Sequence, residues 1–141
     1  MTDIFSKAKR SEIMSRIKSR RTSIEERMAS LLRKSHIKYR RNVKTLPGEP
    51  DLVIVGGKIA VFVHGCFWHG HKGCLRAKLP RSNTVYWKQK IERNEKRDRR
   101  TARLLRKKGW HVLTVWQCKL KNPERVMKRV RTMMQKNSPV S

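Results

Sequence analysis

The 141 residues contain 37 lysines and arginines against 10 acidic residues, a formal net charge of +27, so the expected partner is a polyanion, with nucleic acid ahead of a membrane surface. No apolar run approaches the roughly 20 residues of a spanning helix, and Met1-Thr2-Asp3-Ile4-Phe5 lacks the apolar centre of a signal peptide. Three cysteines do not make a paired disulfide framework but suit a Cys3His metal site, which points to a reducing, cytoplasmic setting. The length suits one domain spanning 1–141 with its own core.

Residues 1–21 are polar and basic, with Ile13, Met14 and Ile17 as well-spaced apolar positions, and read as a short helix or a basic arm that settles on nucleic acid. Thr22-Ser23-Ile24-Glu25 fits a capping box, and Ile24, Met28, Leu31 and Leu32 form the apolar stripe of a helix ending near Ser35. Glu25 is either the cap carboxylate or a group aimed at an active site. Ile37–Arg40 reads as a short strand, and Leu46-Pro47-Gly48-Glu49-Pro50 as an irregular loop. Asp51–Val55 and Lys58–His64 read as buried strands joined by a hairpin turn at Gly56-Gly57. Hairpin counting then places Asp51 beside Val63 and His64.

The segment His64-Gly65-Cys66-Phe67-Trp68-His69-Gly70-His71-Lys72-Gly73-Cys74 concentrates metal ligands, proton carriers and rings. Cys66-x4-His71-x2-Cys74 together with Cys118 accounts for every cysteine and has spacing a closed tetrahedral zinc site can use. After a loop at 79–84, residues 85–108 read as a long basic helix with Trp87, Ile91, Asn94 and Asp98 along one face, followed by Leu104 and Leu105, and stopped by Gly109. Trp110–Trp116 reads as a strand. Asn122-Pro123-Glu124 opens a last helix bearing Val126, Val130, Met133 and Met134, and 137–141 should fray. Helices flanking a small mixed sheet make the expected class α/β or α+β.

Phosphodiester hydrolysis needs a hard cation to polarise the phosphoryl oxygens and activate water. Oxygen ligands suit magnesium and thiolates suit zinc. Asp51 is the hard ligand, the Val63 carbonyl a second, and His64 or His69 the proton acceptor or charge stabiliser. Zinc at the cysteines would brace the loop presenting His69. The competing readings are a zinc-stapled nucleic-acid-binding module without catalysis and a nuclease of different specificity.

Pro47-Gly48-x-Pro50-Asp51, Val63-His64-Gly65-Cys66-Phe67-Trp68-His69, Trp87 with Lys90 and Asn94, Glu95-x-x-Asp98-Arg99-Arg100, and Gly109-Trp110-x-Val112-Leu113-x-Val115-Trp116-x-Cys118 resemble the very-short-patch repair (Vsr) DNA mismatch endonucleases of bacteria. The resemblance runs from the basic N-terminus to Cys118. It implies a restriction-endonuclease-like fold and magnesium-dependent nicking of one strand 5′ of the thymine of a T:G mispair left by deamination of 5-methylcytosine. By the same resemblance Asp51 and the Val63 carbonyl bind magnesium, Phe62 takes the place of the usual nuclease glutamate and His64 that of the lysine. Glu25, His64 and His69 match active-site positions, with His69 the general base. Phe67, Trp68 and Trp87 match rings inserted beside the mismatch, Met14 a wedge from the opposite groove, and Lys90 and Asn94 residues near the mismatched bases. A monomer acting on duplex DNA is implied, with the mismatch-repair protein MutL as a partner. Val63 stands where the family often has threonine, and a longer loop leaves either His71 or His69 as the zinc ligand.

Overall fold

The computed structural model describes residues 23–136, the Arg76 side chain excepted. Met14, the cap residue Thr22, the basic arm and the 137–141 tail therefore lie outside the described residues. In chain order the elements are helix α1 (23–34), strands β1 (Tyr39–Arg41), β2 (Leu52–Ile54) and β3 (Ile59–His64), helix α2 (Thr84–Lys107), strand β4 (His111–Trp116) and helix α3 (Pro123–Lys136). The four strands form one sheet in the order β1-β2-β3-β4. The first two pairings are antiparallel and β3–β4 is parallel. A parallel neighbour requires a long crossover, and that crossover carries both the Cys/His loop and α2.

The pleat sorts the side chains onto two faces. Leu52, Ile54, Ile59, Val61, Val63, Leu113 and Val115 share one face by register and are all at most 2% exposed. They pack with Ile24, Met28 and Leu32 of α1 and Val126, Met127 and Val130 of α3 in one cluster. Each such burial contributes roughly 1.5–3 kcal/mol, so this face anchors the sheet. The opposite face carries Phe62, His64, Val112, Thr114 and Trp116, which with Arg97, Asp98, Thr101 and Ala102 of α2 line clefts between sheet and helix. One residue of register thus separates core from site.

The β2–β3 connection differs from a two-residue Gly-Gly turn. A single 3₁₀ turn spans Val55–Gly57, and the left-handed residue is Lys58, with φ 50°. The four-residue link still pairs Ile54 with Ile59, the same register, so the placement of Asp51 beside Val63 is unaffected. Strand boundaries shrink accordingly, because Val55 turns outward and is 50% exposed. Gly109 does end α2: at φ +87° it lets Trp110 N–H reach back to Leu105 O at 3.0 Å and its own N–H to Arg106 O at 3.0 Å, a Schellman closure. Of the two leucines before it, Leu105 is buried while Leu104 points to solvent; consecutive helix positions are rotated by about 100°, so only one of the two faces inward.

Candidate active site and metal centre

Asp51 enters the sheet directly after the buried Pro50, and its own carbonyl accepts from Asn42 N–H at 3.0 Å. The carboxylate is buried and its Oδ2 accepts the Val63 N–H at 2.8 Å. A side chain thereby occupies a ladder position at the end of β2 and ties the carboxylate to the end of β3. Gly48, at φ +73°, lies against Thr101 of α2 with no room for a Cβ, which sets the loop before Asp51 close under the helix.

At the end of β3, the buried His64 ring stacks on His69 with centroids 3.8 Å apart and planes 3° from parallel. Its edge meets Trp116 at 5.3 Å. His69 Nδ1 is 2.7 Å from Asp98 Oδ2. Burial pushes the Asp98 carboxyl up, but the hydrogen bond with His69 and the nearby charges of His69, His64 and Arg97 pull it down further, leaving a net displacement below the ordinary value. An ionised carboxylate only accepts, so His69 Nδ1 carries the hydrogen and, in the neutral ring, Nε2 holds the lone pair. His64, His69 and Asp98 are close enough to suggest a metal site. The parallel rings argue against one, because an ion would have to lie in two planes several ångströms apart. The three groups are better suited to moving and stabilising a proton.

A group whose native pKa is depressed adds stability that is complete above its unfolded pKa, about 3.9 for aspartate, and is lost as pH falls through the native value. Asp98→Asn is therefore expected to lower the melting temperature at neutral pH, with a difference from the native chain that shrinks as pH drops through the acid range. A difference independent of pH would contradict the assignment of Asp98 as a carboxylate held ionised by its neighbours.

Cys66, His71, Cys74 and Cys118 place one donor atom each within 4.8 Å of the others. A tetrahedral zinc with ordinary bond lengths puts sulfur and nitrogen ligands about 3.5 Å apart, and Cys118 Sγ lies 3.5 Å from His71 Nδ1. The loop wraps on itself through His69 N–H to Gly65 O at 3.1 Å, His71 N–H to Cys66 O at 2.8 Å and Gly70 N–H to Phe67 O at 3.2 Å. This winding sends His71 to the cysteines and His69 to Asp98. Burial pushes the Cys66 thiol up to about 12, and burial also lowers His71, helped by Lys119. Packing thiols and an uncharged imidazole this closely is unfavourable for thiolates alone and favourable around a dication. The donor set fits a metal ion. Gly70, at φ +63°, is where the loop touches α2: a Cβ there would lie 2.6 Å from Ile91 Cγ2.

Between these groups a cleft of about 460 Å³ is lined by Asp51, Phe62, Val63, His64, Trp68, His69, Asp98 and Thr101 among others. Asp51, Val63, His64 and His69 are thus brought together. Glu25 is buried beside Arg41, 3.9 Å from its guanidinium, and is not among the cleft's described lining residues. Phe67, Trp68 and Trp87 form one aromatic group, with Trp87 edge-on to Phe67 at 5.8 Å and to Trp68 at 6.4 Å. Asn94 Nδ2 donates to the Trp68 carbonyl at 3.0 Å, and Lys90 Nζ lies 5.7 Å from the Trp68 ring centre. Asp98 shares one predicted face of α2 with Trp87, Ile91 and Asn94, and the sequence assigns it no role. Its spacing from Trp87, Ile91 and Asn94 was the available signal. Tyr86 carried none.

The sequence profile described as "DNA mismatch endonuclease Vsr" matches residues 2–76. The chain is 43% identical to the protein named DNA mismatch endonuclease Vsr of Escherichia coli K12, over 89% of this chain and 80% of that one. It is 41% identical to the type II nicking enzyme V.XorIIP of Xanthomonas oryzae, over 95% of this chain and 98% of that one. It is 43% identical to the type II nicking enzyme V.NmeAIP of Neisseria meningitidis, over 86% of each. These relatives are endonucleases, and a carboxylate and histidine cleft beside a basic helix is chemistry of that class. The chain belongs to the Vsr family of DNA mismatch endonucleases.

Proposed function

We propose that this chain nicks one strand of duplex DNA on the 5′ side of the thymine in a T:G mispair left by deamination of 5-methylcytosine, by magnesium-assisted hydrolysis on a restriction-endonuclease-like scaffold. The observation that carries the reading is the cleft itself: the Asp51 carboxylate, tied to Val63, lines it together with the stacked His64 and His69 and with Trp68.

Asp51 and the Val63 carbonyl are hard oxygen donors of the kind magnesium accepts alongside substrate phosphate and water. Bound there, the ion supplies charge stabilisation and a more acidic water. His69 Nε2 takes the proton of the attacking water, because Asp98 holds the hydrogen on Nδ1 and fixes the ring. His64, stacked on His69, offers positive charge toward the phosphate when protonated. Asp98→Asn, whose amide can present an N–H instead of an acceptor, is expected to lower the nicking rate about a hundredfold. Cys66, His71, Cys74 and Cys118 would hold a zinc ion, which would brace the loop that carries Trp68 and His69 as a structural rather than catalytic metal.

A wobble pair stacks poorly, so opening the duplex there costs less than at a Watson–Crick pair, and inserted rings turn that difference into selectivity. The test is to compare single-turnover nicking of otherwise identical T:G and T:A duplexes with magnesium present. Strong preference for T:G is expected. Equal cutting of both, or none of either, would overturn the proposal. Base–ring stacking is worth about 1–3 kcal/mol, so Trp68→Ala should shrink the T:G preference by roughly tenfold or more while T:A cutting stays low.

A further inference from the structure

Tyr86 has no part in the mechanism above, yet it closes a small box around a lysine. Tyr86, Lys90 and Asn94 follow one another at four-residue spacing and so lie along one strip of α2. Lys90 Nζ lies 5.7 Å from the Tyr86 ring centre and 5.7 Å from that of Trp68. Its ammonium therefore contacts two π faces, one from the helix and one from the Cys/His loop. The Tyr86 ring also meets Trp87 edge-on, with centroids 5.1 Å apart and planes at 77°. Asn94 holds the Trp68 main chain from the next turn of the same strip. Trp68 is thus held at its main-chain carbonyl by Asn94, while Lys90 lies over both its ring and that of Tyr86.

From this arrangement we infer that Tyr86 is a specificity-determining positioning residue: its ring holds the Lys90 ammonium against Trp68, so that the lysine already placed near the mismatched bases by family resemblance meets them with its donor preset. Wobble pairing with guanine deprives the thymine O4 of the adenine amino group it has in a Watson–Crick pair, so a fixed donor at the wedge distinguishes the two. A lysine free to rotate gives up much of that distinction, because its long stem has to be ordered each time it binds. Cation–π contacts of this kind are sensitive to the electron-rich face, not merely to apolar bulk.

This inference rests on the mismatch-nicking reading, and a double-mutant cycle separates the two. Single-turnover nicking of T:G and T:A duplexes is measured for the native chain, Tyr86→Phe, Tyr86→Leu, Lys90→Met and Tyr86→Leu/Lys90→Met. Tyr86→Phe, which keeps the π face, is expected to retain the native T:G preference. Tyr86→Leu should reduce it by roughly three- to tenfold, and by nothing further once Lys90 is already methionine. In the DNA-free protein, the Lys90 side-chain methylene proton resonances, shifted upfield by the two rings, should move toward their ordinary position in Tyr86→Leu and stay in Tyr86→Phe. Equal losses on T:G and T:A, a full repeat of the loss in the Lys90→Met background, or unmoved Lys90 resonances would overturn the inference alone. Absence of T:G nicking by the native chain would overturn it together with the functional reading, and the resonances would then report only on packing.

Discussion

Asp51→Asn is expected to slow nicking of a T:G duplex by about a thousandfold, which is the effect of losing ~4 kcal/mol of charge stabilisation at the phosphoryl group. Asparagine is the informative substitution because of the hydrogen bond from Val63 N–H to Asp51 Oδ2. Its side-chain oxygen can take over that bond, so the end of the hairpin stays closed. Alanine would leave a buried N–H without its acceptor, at about 1–3 kcal/mol, and would mix a folding defect with a chemical one. The asparagine variant should therefore melt within a few degrees of the native chain and bind T:G duplex with similar affinity. A variant that binds normally and still nicks at close to the native rate would remove Asp51 from the mechanism.

Cys118→Ser should act in the opposite way, through the fold first. Cys118 follows β4 directly, whereas Cys66, His71 and Cys74 belong to the loop after β3, so the cluster links the ends of two adjacent strands across 52 residues of sequence. Serine is a poor zinc ligand. Metal-coupled folding energy is large in small zinc sites, and losing a ligand is expected to cost at least ~3 kcal/mol, lowering the melting temperature by roughly 10 °C. Because the same loop carries Trp68 and His69, nicking should fall too, but only in proportion to the loop disordered. Native-like melting together with native-like metal content would show that Cys118 is not a metal ligand.

Much of this could be read from residue order. The pleat of Ile59–His64, the Schellman glycine at 109 and the apolar stripe Ile24, Met28 and Leu32 are local patterns, and local patterns survive without coordinates. The placement of Asp51 beside Val63 follows from counting, and the connection's true form, with Lys58 rather than a glycine in the left-handed region, does not disturb it. What could not be read were pairings set by how elements dock. His69 and His71 are two residues apart and chemically identical, and only the winding of the loop around Cys66 decides that His71 joins the sulfurs. Asp98 lies 29 residues beyond His69, on a helix whose roll over the sheet follows from close packing at Gly48 and Gly70. The role inferred for Tyr86 likewise depends on a loop ring arriving next to a helix lysine. The resemblance to a known family supplied roles for Glu25 and Met14 that the described geometry does not reach.

Under the proposed function the ion that assists cutting is distinct from the ion that braces the loop, and a metal-exchange experiment tests that distinction directly. Protein stripped of loosely held ions with a weak chelator should keep one zinc per chain and leave a T:G duplex intact; adding magnesium should restore nicking with the zinc content unchanged. Nicking that proceeds on zinc alone, or that returns only when the thiolate-bound metal is replaced, would contradict it.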